Sequence, residues 1–421
     1  MNPKVRDRIL QWFRAGLAAV EPQAVTRDAL QKLDLGQGKI IVLAFGKAAV
    51  PMAAAAREVI GTRHHAGLLV TKQGQFTKEI EGFTSIESAH PIPDDRSLRA
   101  GEMALDLVKN LSSSDTVIAL ISGGGSALIE QPIEGVSLMD MQVTTELLMY
   151  AGADIGQLNT VRKALSQIKG GGLRRAIAPA NCVTLMLSDV LGNSHSVIAS
   201  GPTVPAPTNR SGAWKTITRF GLDRQVPESV RHALTSEHAP DPLTEFPHDH
   251  REVISDNQTF VKAIAAAIEA DGLIPEHTWH EWGDSSRTLA SEVLKTCNET
   301  AFDVIIGGGE ATSEVTGNGK GGRNTDAGLR VAIGLREQGV NAWTFASLAS
   351  DGDDGNSGAA GAIVDADSVV SQSDAEKALA ESDSAGYLEK ANALVVTGQS
   401  GTNVNDVYIA VRTSAISGEK T

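Results

Sequence analysis

The chain has 421 residues, 41% of them hydrophobic but only 4% aromatic, with 42 glycines and a net charge of −14. That length exceeds one ordinary core and predicts two domains, and the balance of glycine over aromatics suits an α/β protein rather than an all-β sandwich. The acidic surface argues against nucleic acid and anionic membrane as partners, so an anionic small-molecule substrate would need a local basic pocket.

In chain order, the opening MNPKVRDRILQWFRAGL reads as an amphipathic helix without the uninterrupted apolar core of a signal peptide. No run approaches the roughly 20 apolar residues that span a bilayer, and a cytoplasmic location is expected. Strands are predicted at Ile40–Ala44, Gly67–Val70, Thr116–Ile121, Val183–Leu187, Val304–Ile306, Trp343–Phe345, Leu394–Thr397 and Val407–Val411. Most are apolar without alternation, as in parallel strands covered on both faces. Helical spacing fills the intervals: Ser137 and Asp140 form a capping box before a helix through Tyr150, Phe260, Ile264 and Ile268 share one face, and so do Leu289, Val293 and Cys297. The alternation predicts two α/β domains with largely parallel sheets and a cleft between them. The Pro- and His-rich stretch His238–Arg251 marks the boundary, giving domains 1–245 and 246–421, and Gly201–Asn209 is a second long loop. Cys182 and Cys297 have neither metal nor CxxC spacing, so neither a disulfide framework nor a zinc site is expected.

Several positions can carry chemistry. Lys47 stands at the first turn of a helix, where the dipole favours anions, so lysine and helix end can hold one anion together. The turn Ser122-Gly123-Gly124-Gly125-Ser126 follows an apolar strand and can bring backbone N–H groups up to an oxyanion. The same device recurs at VIIGGGE, ending in Gly308, Gly309 and Glu310. Each can also be an ordinary tight turn. Asn159, Arg162, Lys163 and Lys169 form a basic cluster, the first three on one helix face. Asp189 and Asp351 follow strands, where α/β enzymes place ligands; each can serve as a turn residue, a base or a hard oxygen donor for Mg²⁺. Gly317, Gly319 and Gly322 match G-x-G-x-x-G but lack the following acidic residue of a dinucleotide site. With Lys320 and Arg323 they read as a phosphate cradle. The polar turn Thr402–Asp406 completes the site or only joins two strands.

The segments AFGKAAVPM, AHPIPD, LISGGGSAL, LNTVRKALSQIKGGG, SDVLGNSHSVIASGPTVP, GGGEATSEVTGNGKGGRN, SDGDDGNSGAAGAIVD and TGQSGTNVNDV resemble, in order, those of the glycerate 2-kinase (MOFRL) family. The resemblance implies ATP- and Mg²⁺-dependent phosphorylation of D-glycerate at its 2-hydroxyl, at a site between two α/β domains. It implies Lys47 and Arg323 as catalytic cations. Ser122–Ser126, Asn159 and Arg162 would hold the substrate carboxylate, and Gly308–Glu310, Gly317, Gly319, Lys320 and Gly322 the nucleotide. Asp189 would act as base or, with Asp351, hold Mg²⁺. An older name in the family, hydroxypyruvate reductase, makes an NAD(P)H-dependent enzyme the alternative, and a kinase for a related short sugar acid is another. An anion-binding protein without activity is a third, disfavoured by the paired Lys47 and Arg323. A homodimer is left open. The sequence departs from the family at Leu191-Gly192-Asn193-Ser194, where Pro-Gly-Asp-Asp is usual, at Arg323-Asn324-Thr325-Asp326, where Arg-Asn-Gln-Glu is usual, and at HEWGDSSR, where a Gly-Glu-Ala-Arg pattern is usual. Metal geometry and substrate choice hang on these positions.

Overall fold

The computed structural model describes residues 1–76, 78–205, 209–236 and 249–418. They fall into two compact units. The first comprises residues 22–188 and 193–254; the second comprises residues 1–21, residues 189–192 and the chain from Ser255 onward. The linker expected at His238–Arg251 lies outside the described residues over 238–248, as do residues 206–208 of the Gly201–Asn209 loop.

The first unit is built on six strands, β1 Ile40–Phe45, β2 His64–Lys72, β3 Phe83–Ser88, β4 Thr116–Ile121, β5 Asn181–Leu187 and β6 His250–Ser255, in the order β3-β2-β1-β4-β5-β6. The β1–β2, β2–β3, β1–β4 and β4–β5 ladders are parallel. Every residue of β1 and β4 is buried, which explains their unbroken apolar runs. The order reverses between β1 and β4. Such a switch point is where open parallel sheets bind ligands.

The second unit holds β7 Pro275–His277, β8 Val304–Gly309, β9 Trp343–Ala349, β10 Gly361–Val364, β11 Leu394–Val395 and β12 Asp406–Arg412, ordered β11-β10-β9-β12-β8-β7. This sheet is mixed. β7 pairs parallel with β8, whereas the other ladders are antiparallel, although β7, β8, β9 and β11 all run one way. An apolar run without alternation records cover on both faces but not strand direction. That cover comes from two layers. Ile305, Tyr408 and Ala410 face a cluster with Leu289, Val293 and Leu329, while Val304, Ile306 and Ile409 face one with Trp12, Phe260 and Ile264.

A single cut at 245/246 does not describe these units. The N-terminal helix Pro3–Ala19 lies on the helix Asn257–Ala270, so close that a β-carbon on Gly16 would stand 2.5 Å from Ile264. Phe13 meets Phe260 edge-on at 5.8 Å, and the Trp12 indole donates to Asp271 at 2.7 Å. An amphipathic stripe demands cover, and here it finds it about 250 residues downstream. The capping box at Ser137 is present, with Asp140 N donating to the Ser137 hydroxyl at 3.1 Å, and it opens the helix Leu138–Tyr150. Cys182 and Cys297 are buried free thiols whose pKa values burial pushes up to about 11 and about 12, so neither is a reactive thiolate. Among the described residues no helix is long and apolar enough to cross a membrane. Trp12→Ala, which empties a buried site and leaves Asp271 with Arg8 as its side-chain partner, is expected to cost about 3–5 kcal/mol, read as a lower urea midpoint with the first unit's own residues untouched.

Candidate active site

In the first unit the turns after β1 and β4 are stitched together. Lys47 N donates to the Gly123 carbonyl at 2.9 Å, and Ala48 N donates to the Ser122 hydroxyl at 3.0 Å. The approach requires Gly46, whose φ is +132° and where a β-carbon would lie 2.2 Å from the Ser122 hydroxyl. These bonds consume the carbonyl and hydroxyl of the Ser122–Ser126 turn, and Gly125 N turns back to Ser122 O at 3.3 Å. Among the described residues, the amides of Gly123 and Gly124 have no protein acceptor, and Gly123 is buried. A buried N–H without a partner costs about 1–3 kcal/mol, so an open pair signals a ligand atom.

Positive charge surrounds this pair. Gly124 has φ +82°, and a β-carbon there would stand 3.1 Å from the His90 ring and 3.6 Å from Lys47 Cγ. Burial, Lys47 and Lys72 together lower the His90 pKa, so its ring is neutral at neutral pH. On the turn's far side the Ser126 hydroxyl meets the Ser200 hydroxyl at 2.9 Å and accepts from the Arg162 guanidinium at 3.4 Å. Burial lowers the Arg162 pKa and Glu130 partly restores it, but Glu130 is committed to Lys169 in a buried ion pair. Lys47, the Ser122–Ser126 turn and Arg162 thus come together as expected. Asn159 lies one turn before Arg162 on the helix Ile155–Ala164 and makes no hydrogen bond from its side chain among the described residues. His90 and Ser200 were missed as site residues, though both stand inside segments that carry the family resemblance. One detail is corrected: Lys163 does not share Arg162's face, and its ammonium goes to the Ser196 carbonyl at 2.7 Å.

The second unit spends its glycines differently. In the loop Gly317–Gly322 the amides of Gly317, Gly319, Lys320, Gly321 and Gly322 donate to the Ser382 hydroxyl, Glu381 O, the Asp383 carboxylate, Asn356 Oδ1 and the Thr325 hydroxyl, at 2.7–3.2 Å. The loop is glycine-rich because the chain itself crowds it: a β-carbon on Gly317 would sit 2.3 Å from Glu381 O, and one on Gly322 2.4 Å from Asp354. The helix Arg323–Glu337 is no free anion site either, since the Asp354 carboxylate accepts from Asn324 N and Thr325 N at 2.9 and 2.8 Å. A backbone phosphate cradle is therefore not what this loop forms. It does line, with Glu310, Gly317, Gly319, Gly322 and Arg323, a pocket of about 900 Å³. Gly308 and Gly309 lie behind it, pressed on Asn257 and Trp282, and the Glu310 amide donates to Trp282 O at 2.7 Å; Lys320 is exposed.

Arg323 is held by two carboxylates. Its Nε and Nη2 donate to the fully buried Asp406 at 2.6 and 2.9 Å, and Nη1 lies 3.3 Å from Glu310. Burial disfavours the cation, but Asp406 outweighs it and keeps Arg323 charged. An isolated cation waiting for phosphate is not what the geometry offers, because an anion reaching Arg323 must compete with Glu310. Asp351 follows β9 and acts electrostatically on Asp406. Asp189, in the short segment 189–192 that packs with this unit, accepts from Asn403 Nδ2 at 3.3 Å. The turn Thr402–Asp406 is thus part of this carboxylate-rich end, with Val404 N tied to the Ser350 hydroxyl at 2.8 Å. Among the described residues no three His, Cys, Asp or Glu side chains gather closely enough to hold a metal ion.

Residues 8–235 match a family model described as a domain of unknown function (DUF4147), and residues 303–406 match the model of the MOFRL family. The chain is 36% identical to a D-glycerate 2-kinase of Thermotoga maritima, across 96% of this chain and 97% of that protein. It is also 36% identical, across 96% and 93%, to an Agrobacterium vitis protein provisionally named as a hydroxypyruvate reductase. A crystal structure of a glycerate kinase from Thermotoga maritima matches it with a TM-score of 0.90 and 35% identity, over 98% of this chain and 100% of that one. Fold and glycine turns define a two-unit α/β protein with an open amide pair at a switch point. The chain belongs to the glycerate 2-kinase (MOFRL) family.

Two outcomes follow from the charges. His90 binds a proton less readily folded than unfolded. The stability this contributes is complete above its unfolded pKa of about 6.5 and is lost as pH falls through that value toward the folded one. Acidification from about pH 7 to 5 is therefore expected to lower the urea midpoint of the wild type more than that of His90→Gln. Arg323→Ala leaves Asp406 buried and unpaired and is expected to cost about 3 kcal/mol in chemical denaturation, whereas an unchanged midpoint would mean that the pair is not formed.

Proposed function

We propose that the chain transfers the γ-phosphoryl group of ATP to the 2-hydroxyl of D-glycerate, giving 2-phosphoglycerate and ADP. The observation that carries this reading is the open amide pair of Gly123 and Gly124 between Lys47 and Arg162. Such a constellation suits a small, doubly oxygenated anion: amides and guanidinium take the carboxylate, while the lysine balances charge where the phosphoryl group arrives. Phosphoryl transfer asks the protein mainly for position and charge neutralisation, and these residues supply both. The hydroxyl proton needs an acceptor. Asp189 is one candidate, and the neutral ring of His90 beside Gly124 is the other.

The nucleotide is assigned to the 900 Å³ pocket of the second unit, where side chains rather than loop amides would contact it. Asp189 and Asp351 are hard oxygen donors of the kind Mg²⁺ accepts, and a pair suffices because this ion keeps waters and phosphate oxygens as further ligands. When bound it would neutralise phosphate charge. Hydroxypyruvate reduction is disfavoured because the G-x-G-x-x-G loop has its amides bonded within the chain and lacks the ribose-binding acid. The buried free thiols suit a cytoplasmic enzyme acting on small molecules.

ADP release from ATP and Mg²⁺ should depend on D-glycerate, with phosphorus NMR placing the product phosphate on the 2-oxygen. Lys47→Ala should lower kcat by about 10²-fold or more without moving the urea midpoint. NADH consumption with hydroxypyruvate and no ADP release would sink the proposal, and turnover only with a longer acid would reassign the substrate.

A further inference from the structure

Around Ser200 the backbone of the first unit is strained. Ala199, Ser200 and Gly201 follow one another at φ of +47°, +64° and +62°. Glycine adopts that left-handed region freely, but alanine and serine do not, and among the described residues Ala199 and Ser200 are the only adjacent non-glycine pair with positive φ. Such strain persists where the surroundings over-determine it, and here they do. The carbonyls of Ser200 and Gly201 accept from Gly170 N and Gly171 N at 2.9 and 2.8 Å, Ser200 N donates to Val197 O at 2.8 Å, and a β-carbon on Gly201 would stand 2.9 Å from Ser196 Cα. This left-handed turn presses on the glycine turn of the candidate site. A β-carbon on Gly125 would lie 3.1 Å from Ala199 Cβ, and the Ser200 hydroxyl meets the Ser126 hydroxyl at 2.9 Å.

The protons fix the direction of that contact. Ser200 is 2% exposed, and among the described residues Ser126 is the one hydrogen-bond partner of its hydroxyl. Were Ser126 the donor, the Ser200 proton would be buried without an acceptor, a loss that folded chains avoid. Ser200 therefore donates and Ser126 accepts. The Ser126 oxygen also accepts from Arg162 at 3.4 Å, which occupies its second lone pair. Its own proton then has no acceptor among the described residues, and Ser126 is only half-buried. A hydroxyl that accepts from a guanidinium and from a second hydroxyl is the stronger donor for it, since hydrogen bonds in a chain polarise one another. Two and three residues earlier on the same turn stand the open amides of Gly124 and Gly123.

We propose that Ser200 is a positioning residue: its left-handed turn holds the Ser126 hydroxyl so that the remaining proton is donated, together with those of the Gly123 and Gly124 amides, to the carboxylate of the substrate. This role rests on the reading of the turn as the substrate site of a kinase.

D-Glycerate-dependent ADP release would be measured with ATP and Mg²⁺ in full-length wild type, Ser200→Ala, Ser200→Gly, Ser126→Ala and Ser126→Ala/Ser200→Ala. Both Ser200 variants should raise KM for D-glycerate at least about tenfold, the loss of one hydrogen bond to a charged group, with kcat within about threefold of wild type. Ser200→Gly suits the left-handed backbone, so it carries the test should the alanine variant not fold, and a merely structural role predicts that it recovers the wild-type KM. Ser126→Ala raises KM by itself. Adding Ser200→Ala to it should change nothing further, because the Ser200 hydroxyl acts only through Ser126. Recovery of KM in Ser200→Gly, a wild-type KM in Ser200→Ala, or additive losses in the double variant would each overturn the inference and leave the kinase reading in place. A wild type that releases no ADP with D-glycerate would overturn both.

Discussion

A single missing side chain, at Gly46, allows the turns after β1 and β4 to meet. With a β-carbon 2.2 Å from the Ser122 hydroxyl, the two strand ends would be forced apart and neither stitching bond could form. The consequence is chemical as well as geometric. Those bonds draw on the Gly123 carbonyl and the Ser122 hydroxyl, so the amides of Gly123 and Gly124 are left facing away from protein acceptors. An unpartnered buried amide costs about 1–3 kcal/mol, which the folded chain carries until an oxyanion arrives. Burial of every residue of β1 and β4 is what makes the strand ends rigid enough to sustain it.

The second unit resolves the same composition in the opposite sense. Its glycine loop closes on Glu381–Asp383 and Asn356, and Asp354 occupies the helix end that a phosphate would otherwise take. Arg323, tied through two nitrogens to Asp406, joins the start of the helix Arg323–Glu337 to the start of β12. A bidentate contact to a fully buried carboxylate is worth more to the protein than a rim contact at 3.3 Å, so Glu310 and not Asp406 is the partner a ligand can displace. That ordering lets one arginine hold the fold and still present an outer edge to a pocket.

The parts legible in the sequence were those governed by local pattern. β4 lies where its apolar run places it, β1 extends one residue further, and the charged and glycine-rich elements of the first site lie at their ends. β3, β6, β7 and β10 escaped because they are polar, charged or only three or four residues long. Strand direction in the second sheet escaped because burial on both faces leaves the same signature in parallel and antiparallel strands. The G-x-G-x-x-G loop misled for a related reason. Glycine admits close approach by phosphate or by backbone alike, and the acceptors that decide between them lie, Thr325 apart, 35 to 65 residues away in sequence. An amphipathic stripe at residues 3–19 announces burial without naming the partner helix. Comparison by helical spacing placed Arg162 and Lys163 on one face, yet adjacent residues are about 100° apart, and the two cations go to different partners.

Charge distribution ties these observations to specificity. A chain of net charge −14 repels anionic solutes over most of its surface, so any small oxyanion that binds does so where cations are held without matching acids. In the first unit Lys169 is neutralised by Glu130, and Arg174 by Asp249, both as buried pairs that contribute structure and no field beyond it. The cations that the first unit sets around its glycine turn are Lys47, Lys72 and Arg162. Position 193 is asparagine and position 194 serine where the family commonly has carboxylates, and here the Ser194 carbonyl and hydroxyl cap the turn toward Val197 and Ser196. Two negative charges are thereby absent from the loop whose Ser196 carbonyl receives Lys163 and whose Ser200 touches Ser126. The field in the first unit is more positive for that absence, which favours an anionic ligand beside the glycine turn.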